Sequence, residues 1–351
     1  MKLSSIGDVV HALPAAALLR RALPEAKISW IVEKRAAAIL EDCPAIDQLI
    51  KIDSRAWRQK PLRKASVAQF RSMIRTLSSN FEVAIDFQGL IKSGFIARLS
   101  KAGRRIGFED RDLREKTSKL FLTEQVETSR FGHVIEKNLE LARRAIGIGG
   151  EAPTQLVAKK EYEFPIAVSE ADERYVSARI REIGGRFAII NPGGGWATKL
   201  WPADHYSKLA ELFWQEHALP SFITFGPNEE ALASNVAAMV SSDAARPLSS
   251  SLKQFFALAR HAAVFAGGDT GPLHLAAAAG APIVGVFGPT LPARNGPFRP
   301  DDIVVGRDIW CRANCHRRSC WHWECMNIPV ERVGQAASER LEATSEAVSK
   351  R

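Results

Sequence analysis

The sequence predicts an α/β protein made of two doubly wound, Rossmann-like domains. Strand and helix signals alternate in two successive series, and glycine-bearing turns follow strand signals in both. The chain of 351 residues is too long for one ordinary core and suggests two domains of roughly 150–200 residues each. Strands that alternate with helices in this way form parallel sheets covered on both faces. Ligands of such sheets bind beyond the carboxyl ends of the strands, so we expect a site in the cleft between the domains.

The first series begins with a turn, LSSIGD, that only Met1 and Lys2 precede. A central strand needs about five residues, so we expect either a shortened first strand or a true start farther upstream. A helix is predicted over VVHALPAAALLRRAL, with Pro14 near its first turn or kinking it. The segments that follow alternate as strands and helices: ISWIVE, AAAILED, IDQLIKI, SVAQFRSMIRTLSS, FEVAIDF, QGLIKSGFIARLS and RRIGF.

The second series begins after Pro165, and we place the linker around Lys159 to Pro165. Ser169 is the predicted N-cap of its first helix, with Asp172 three residues later in a variant of the capping box. The predicted strands are RFAIIN, SFITF, AAVFAGG and IVGVF, and the helices are PADHYSKLAELFWQEH, NEEALASNVAAMVSS and SLKQFFALARH. A last helix, VERVGQAASERLEATSEAVS, is expected to pack across a domain junction or to trail into solvent. The predicted division is therefore 1–160, 161–330 and a terminal helix over 331–351.

The composition is that of a soluble globular protein, with 46% apolar and 25% charged residues. No segment approaches the roughly 20 apolar residues that span a bilayer. The stretch Val9 to Leu19 is apolar, but Asp8 just before it and His11 and Pro14 within it argue against an export signal. The five cysteines are not expected to form structural disulfides in a cytosolic chain.

The net charge of +9 is concentrated in one basic block. Between Asp53 and Glu82 there is no acidic residue, and the cationic residues there are Arg55, Arg58, Lys60, Arg63, Lys64, Arg71 and Arg75. Such a block suits nucleic acid, an acidic membrane surface or a phosphorylated substrate, and the alternative is a solvated basic helix face. Only Trp57 and Phe70 interleave with these cations, which is little aromatic surface on which to stack bases.

The stretch FAGGDTGPLH predicts a phosphate site where a buried strand gives way to a helix. Thr270 is a good N-cap, Gly271 opens the backbone and Pro272 fits a first helical turn, so free N–H groups point at a ligand. A carboxylate beside a phosphate would repel it, so Asp269 is expected to accept hydrogen bonds from sugar hydroxyls. His274 lies one turn later on the same helix face. The alternatives are that Asp269 only caps the helix and that His274 is structural.

Two further turns point to the same kind of chemistry. LSSIGDVVH places Asp8 and His11 in a glycine-bearing turn of the first domain, where Asp8 could deprotonate an acceptor hydroxyl or merely cap a helix. INPGGGWATKLWP places Lys199 after a glycine-rich loop, where it could neutralise a leaving diphosphate. That loop lacks the Gly-Lys-Ser/Thr end of a Walker A motif, and no GxGxxG opens a first βαβ unit, so a nicotinamide cofactor is disfavoured.

These stretches together resemble the ADP-heptose:lipopolysaccharide heptosyltransferases, most closely the heptosyltransferase I branch that acts on Kdo-lipid A. The similarity extends from residue 1 to about residue 310 and rests on LSSIGDVVHALPA, IDFQGLIKSGFIARL, RRIGFEDRDLREKTSKLF, KLWPADHYSKLA, FGPNEE and GGDTGPLHLAAAAGAPIVGVFGPT. The resemblance implies a GT-B fold and inverting sugar transfer that needs no metal or other cofactor. It makes the first domain the acceptor-binding one and the second the nucleotide-sugar-binding one.

The resemblance also implies a role for individual residues. Asp8 matches the family's general base and Lys199 the lysine on the donor phosphates. The other donor contacts that it implies are Gly194, Gly195, Glu229 on the ribose, Asp269, Thr270, Gly271 and His274. The acceptor contacts are His11, Arg58, Arg63, Lys64 and Arg114, cations that suit the phosphates and Kdo carboxylates of the acceptor.

The implied partners are ADP-heptose, Kdo-lipid A or a related anionic glycolipid, and the inner face of the inner membrane, on which the cytoplasmic enzyme would lie peripherally. Nucleic acid is not among them. The alternatives are an enzyme like heptosyltransferase II or a protein heptosyltransferase, and a GT-B enzyme that uses a UDP-sugar.

One segment, WCRANCHRRSCWHWECMNIP, departs from heptosyltransferase I and resembles the tails of heptosyltransferase II and some protein heptosyltransferases. It carries Cys311, Cys315, Cys320 and Cys325 in a C-x3-C-x4-C-x4-C pattern, with two histidines between them. Four thiols can hold Zn²⁺ or iron, although the paired C-x2-C knuckles of common zinc sites are absent. Reduced thiols, a structural metal, and one or two disulfides remain open at this point.

Overall fold

A computed structural model describes residues 1–60, 63–77, 81–130, 132–147, 162–241, 244–311, 315 and 317–349, with the side chains of 345–349 left aside. The chain divides into two compact units, Met1–Ala167 and Val168–Arg351. The predicted boundary between residues 160 and 161 lies outside the described residues, as does the first part of the predicted linker. The second unit begins after Ala167 and includes the terminal helix.

The first unit is an α/β unit with parallel strands in two groups, ordered β1-β2 and β3-β4-β5. The strands are β1 (Ser29–Glu33), β2 (Gln48–Ile52), β3 (Val83–Asp86), β4 (Arg104–Phe108) and β5 (Glu124–Val126). The helices are α1 (Ile6–Val10), α2 (Leu13–Ala22), α3 (Lys34–Ala37), α4 (Ser54–Gln59), α5 (Lys64–Leu77), α6 (Ile91–Leu99) and α7 (Val134–Ala145), with 3₁₀ turns at Ala38–Leu40 and Lys116–Phe121.

The first three residues lie between the two strand groups. Met1 O accepts a hydrogen bond of 3.1 Å from Phe87 N, and Leu3 O accepts one of 2.9 Å from Glu33 N. Leu3 is fully buried. The extended residues 1–3 therefore pair with β1 on one side and with the end of β3 on the other, and they lead straight into the turn that carries Asp8.

The helix predicted over VVHALPAAALLRRAL is wrong as a single element. It is two helices, because α1 ends at Val10 and α2 begins at Leu13, with Pro14 in the first turn of α2. Proline lacks the N–H that a continuous helix would donate to the carbonyl four residues earlier, and its ring crowds the preceding turn. The break leaves α1 as a short helix that presents Asp8.

The second unit contains a six-stranded parallel sheet in the order β11-β10-β9-β6-β7-β8. The strands are β6 (Ala188–Asn191), β7 (Ser221–Phe225), β8 (Ala245–Ser249), β9 (Val264–Gly268), β10 (Ile283–Phe287) and β11 (Ile303–Gly306). The helices are α8 (Glu170–Ile183), α9 (Ala203–His217), α10 (Glu230–Ala238), α11 (Leu252–Ala259), α12 (Gly271–Ala279), α13 (Pro292–Asn295) and α14 (Val330–Ser349), with 3₁₀ turns at Ala197–Lys199 and Glu324–Met326. Within this unit the chain enters the middle of the sheet at β6, continues outward through β7 to β8, and returns to the other side of β6 as β9. This is the strand order of dinucleotide-binding sheets. The direction in which successive strands are added reverses between β6 and β9.

The terminal helix α14 belongs to the core of the second unit. It packs on α9 and on strands β9, β10 and β11, and it buries Val333, Ala337 and Leu341. Arg340 on this helix lies 3.3 Å from the buried carboxylate of Asp302. The described part of the helix therefore packs within the second unit instead of trailing into solvent. None of the described helices is long and apolar enough to cross a bilayer.

Candidate active site

The strand order of the second unit brings two of the predicted loops together. Asn191 at the end of β6 is paired in register with Gly267 near the end of β9. A side chain at Gly267 would bring its Cβ to 3.0 Å from the Asn191 carbonyl oxygen, so glycine permits this close approach. Because the carboxyl ends of neighbouring parallel strands meet at one edge, Lys199 and Asp269 lie side by side at the point where the strand order reverses.

Asp269 is the centre of a buried hydrogen-bond network. Its carboxylate oxygens accept hydrogen bonds from Lys199 Nζ at 2.6 Å, Thr290 Oγ1 at 2.6 Å and Asn295 Nδ2 at 2.9 Å, and His274 Nε2 lies at 3.1 Å. The side chain of Asp269 is only 3% exposed. Burial raises the pKa of this carboxyl, but the contacts with His274 and Lys199 outweigh burial and hold the pKa far below its usual range. Asp269 is therefore ionised at neutral pH.

This geometry differs from the expectation that Asp269 meets sugar hydroxyls. Its carboxylate already has four partners, so its acceptor capacity is used within the protein. Asp269 contacts Lys199 and His274, and its own carboxylate is held by two residues that were not predicted, Thr290 and Asn295.

The N-terminus of α12 presents an anion-binding end beside this network. Thr270 is its N-cap residue, Gly271 is its first residue and Pro272 lies in the first turn, as predicted. The Thr270 hydroxyl makes no capping hydrogen bond, and within the described part of the chain this buried oxygen has no partner. Free backbone N–H groups and the positive end of the helix dipole favour a negatively charged ligand at this place.

The glycine-rich loop after β6 is held by Glu229. The carboxylate of Glu229 accepts hydrogen bonds from Gly194 N at 3.1 Å and from Gly226 N at 2.9 Å. A Cβ on Gly193 would lie 2.2 Å from a Glu229 oxygen, so a larger residue here would displace the Glu229 carboxylate from this loop. The amide of Gly194 thus donates to Glu229, whereas Gly195 is exposed.

The cysteine segment, residues 311–325, contains free thiols. The alternative that its cysteines form one or two disulfides is therefore wrong for this structure. All five cysteines are unbridged, and Cys325 is buried. His322 lies between two of the thiols, with Nε2 at 3.8 Å from Cys311 Sγ and Nδ1 at 3.4 Å from Cys320 Sγ. Burial, followed by the neighbouring cysteines, raises the pKa of the Cys325 thiol. Thiols are good ligands for zinc and iron, but among the described residues no group of three or more His, Cys, Asp or Glu is arranged to hold a metal ion.

In the first unit, Asp8 is held by cations and by its own turn. Its carboxylate accepts hydrogen bonds from Arg114 at 2.9 Å and from Ser5 N at 2.9 Å, and Lys2 Nζ lies at 3.9 Å. Burial raises the pKa of Asp8, but the charges of Lys2 and Arg114 and the Ser5 amide outweigh it, so the pKa lies below its usual value. Asp8 is therefore an ionised carboxylate, and its side chain is still 15% exposed.

The other predicted acceptor residues fall into two groups. His11 is buried, and its ring meets that of His133 edge-on with centroids 5.5 Å apart, so it belongs to the packing of the first unit. Arg58, Arg63 and Lys64 are exposed, and in the described ranges none of the three forms an ion pair. These three cations are free to meet an anionic ligand, whereas His11 reaches a ligand only through the groups around it.

Several residues of the site were not predicted from the sequence. Thr290 lies in the turn just beyond the buried strand β10 (Ile283–Phe287), and a polar residue at that place is the signal that could have found it. Lys2 precedes the first turn and is nearly fully buried, with its ammonium donating to Phe87 O at 2.6 Å. Asn295 has no local sequence signal of this kind.

Comparison with known proteins places the chain in a family. The model for glycosyltransferase family 9 (heptosyltransferase) matches residues 70–322, which is more than half of the chain. The chain belongs to this family. This family 9 member is 27% identical over 329 residues to lipopolysaccharide heptosyltransferase 1 of Pseudomonas aeruginosa, an alignment that covers 91% of this chain and 86% of that protein.

Two solved structures of the Escherichia coli heptosyltransferase WaaC also resemble this family 9 member. One contains ADP-2-deoxy-2-fluoro heptose and the other ADP, and their TM-scores are 0.76 and 0.75. They are 24% and 25% identical in sequence, and the matches cover 96% and 97% of this chain and 98% of each of theirs. The predicted GT-B fold class and the predicted resemblance to heptosyltransferases are thereby confirmed.

Proposed function

We propose that this family 9 enzyme transfers heptose from ADP-heptose to a Kdo residue of Kdo-lipid A during assembly of the lipopolysaccharide inner core. The observation that carries the proposal is the anion-binding end of α12, which lies beside Lys199 at the point where the strand order reverses. A nucleoside diphosphate is the ligand class that such a helix end and cation accept. The E. coli relative with 25% identity is known with ADP bound, which favours adenosine as the nucleoside.

The donor would bind along the second unit. Its diphosphate lies at the backbone N–H groups of Gly271 and the following turn, with Lys199 beside it and the unpartnered Thr270 hydroxyl as a further donor. Glu229 accepts from the ribose hydroxyls, and in doing so it releases the amide of Gly194 for a phosphate oxygen. Gly195 and His274 complete the donor contacts, with the histidine held in place by Asp269.

The reaction would be a single displacement with inversion. Asp8 removes the proton from a Kdo hydroxyl as that oxygen attacks the anomeric carbon of heptose, and the bond from that carbon to the diphosphate breaks. The electron pair of the broken bond stays on the diphosphate, whose charge Lys199 and the helix end stabilise. Asp8 suits this role because it is ionised and still accessible. Positive charge from the protein replaces a metal ion, so the transfer needs no cofactor.

The acceptor would be recognised by cations of the first unit. Arg114 pairs with Asp8 and remains 43% exposed, so it can also reach an anionic group of the substrate. The exposed Arg58, Arg63 and Lys64 suit the phosphates and carboxylates of a Kdo glycolipid. His11, which is buried against His133, supports the turn rather than contacting the acceptor directly.

A membrane surface is the expected environment of a lipid-anchored acceptor. Ile91, Phe95 and Leu120 are exposed apolar side chains of the first unit, on α6 and on the 3₁₀ turn that packs against it. The exposed cations Arg98 and Lys116 lie on the same two elements. Apolar side chains next to cations bind anionic lipid surfaces, so we place the enzyme in the cytoplasm, peripherally on the inner face of the inner membrane.

Mass spectrometry of a transfer reaction tests the proposal. Purified enzyme is incubated with ADP-heptose and Kdo-lipid A, and the wild type should increase the acceptor mass by one heptosyl unit while Asp8→Asn does not. Parallel reactions with a UDP-sugar and with an acceptor that already carries one heptose test the alternative donor and a heptosyltransferase II-like acceptor. An unchanged acceptor with ADP-heptose, together with transfer in either parallel reaction, would overturn the assignment.

A further inference from the structure

The cysteine segment, residues 311–325, contacts the donor loop, Gly193–Lys199. Thr198 Oγ1 donates a hydrogen bond of 2.8 Å to the backbone oxygen of Arg317. The next residue, Arg318, places its guanidinium carbon 5.4 Å from the centroid of the Trp196 ring. Lys199 Nζ lies 4.8 Å from the centroid of the same ring. Two cationic side chains therefore lie over the Trp196 ring, Lys199 from the donor loop itself and Arg318 from the cysteine segment.

The two cations differ in how their charge is balanced. Lys199 is 2.6 Å from the ionised Asp269, so part of its charge is already balanced within the protein. Arg318 is exposed and has no anionic partner among the residues that the structure describes. A diphosphate that leaves with an additional negative charge is stabilised further by positive charge that is not already balanced. Of the two cations on Trp196, Arg318 is the one that adds such charge to the contribution of Lys199 and the helix end.

The cysteine segment is anchored well enough to hold this arginine. Its last residue, Cys325, and the next residue, Met326, are buried in the core of the second unit. A Cβ at Gly288 would lie 2.2 Å from Met326 Sδ and 3.2 Å from Cys325 Sγ, so the segment packs directly on the turn after β10. The hydrogen bond from Thr198 fixes the segment a second time, next to Arg318 itself.

We propose that Arg318 binds the diphosphate of the donor and stabilises it as the leaving group, a role that rests on the proposed function. Guanidinium forms paired hydrogen bonds with phosphate oxygens, and stacking on Trp196 keeps its plane in place near the donor loop. Arg318 transfers no proton. It stabilises the electron pair that remains on the diphosphate oxygen when the bond to heptose breaks. The cysteine segment is thus part of the donor site and not only a structural tail.

Calorimetric titration of the full-length protein with ADP and with adenosine tests this role. Arg318→Gln should weaken ADP binding about tenfold, which corresponds to about 1.4 kcal/mol, and should leave adenosine binding unchanged. Arg318→Lys should lose less ADP affinity than Arg318→Gln, since lysine keeps the positive charge but not the planar guanidinium. The charge-matched control is Arg332→Gln, because Arg332 is exposed on α14 and belongs to no site described above.

The outcomes separate this inference from the proposed function. ADP binding by Arg318→Gln within twofold of the wild type, or an equal loss of ADP and adenosine binding, would overturn the role of Arg318. A wild type that transfers heptose alongside either result leaves the proposed function intact. A wild type that binds no ADP at all refutes the proposed donor, and the role of Arg318 with it.

Discussion

Arg114 donates a hydrogen bond of 2.9 Å to the carboxylate of Asp8, although the two residues are 106 positions apart in the chain. The contact joins the short helix α1 to the loop after β4. It has two effects, since it orients the carboxylate and keeps it ionised in a mostly buried place.

Replacement of Asp8 by Asn should remove catalysis without removing donor binding. The amide cannot accept a proton from the acceptor hydroxyl, so kcat should fall by roughly 10²–10⁴, the usual contribution of a general base. Steady-state transfer rates and ADP titrations measure the two effects separately. Asp42→Asn, at an exposed residue of the same unit, is the control and should behave as the wild type. A fall in kcat of less than threefold would contradict the role of Asp8.

Replacement of Arg114 by Gln should move the acidic limb of the kcat/KM profile to higher pH. Burial raises the pKa of Asp8, and the charges of Lys2 and Arg114 lower it, so losing Arg114 raises the pKa. A general base acts in its ionised form, and the ionised fraction therefore declines at a higher pH than in the wild type.

The pH profile of kcat/KM for the two proteins measures this shift. Arg111→Gln is the matched control, because Arg111 lies in the same loop and pairs with Glu127 rather than with Asp8. Superimposable acidic limbs for wild type and Arg114→Gln would show that Arg114 does not tune Asp8.

Replacement of Asp269 by Asn should destabilise the second unit. It leaves the mostly buried Lys199 without its anion, and breaking a buried ion pair typically costs about 3–5 kcal/mol. Urea unfolding near neutral pH should show this loss, whereas Asp301→Asn, at an exposed position, should show almost none.

The stabilisation by Asp269 should also depend on pH in a defined direction. The pKa of Asp269 is lower in the folded protein than in the unfolded chain, so its contribution is present above the unfolded pKa of about 4 and is lost as pH falls below it. The difference in unfolding free energy between wild type and Asp269→Asn should therefore shrink in acid. A difference that stays constant or grows below pH 4 would refute this account of the network.

Replacement of Arg340 by Ala should destabilise the second unit through Asp302. The Asp302 side chain is fully buried, and Arg340 lies 3.3 Å from it, so the substitution leaves a buried carboxylate without its cation. We expect a loss of about 3–5 kcal/mol in unfolding free energy. Arg332→Ala on the exposed side of the same helix should change stability by less than about 0.5 kcal/mol. Equal losses in the two variants would show that the ion pair with Asp302 does not explain the effect.

The central strands and the glycine-bearing turns could be predicted from the sequence, because both depend on local signals. Apolar runs such as FAIIN and AVFAGG mark strands that are buried on both faces, and Thr270–Gly271–Pro272 marks a helix start. The strands that the sequence did not reveal, β5, β8 and β11, are all edge strands of their groups. Edge strands are short and half-exposed, so they lack a continuous apolar run, and β8 even contains Arg246 and Pro247.

By itself the sequence determined the α/β class, the two-part organisation, the family resemblance and the candidate residues Asp8, Lys199 and Asp269. Only the tertiary structure decided what Asp269 does, because Thr290 and Asn295 reach it from 21 and 26 residues away in the chain. It likewise decided that the cysteine segment packs on the donor loop. The physical reason is that strand and helix signals are properties of neighbouring residues. The partners of a buried charge depend instead on which strands lie side by side in the folded sheet.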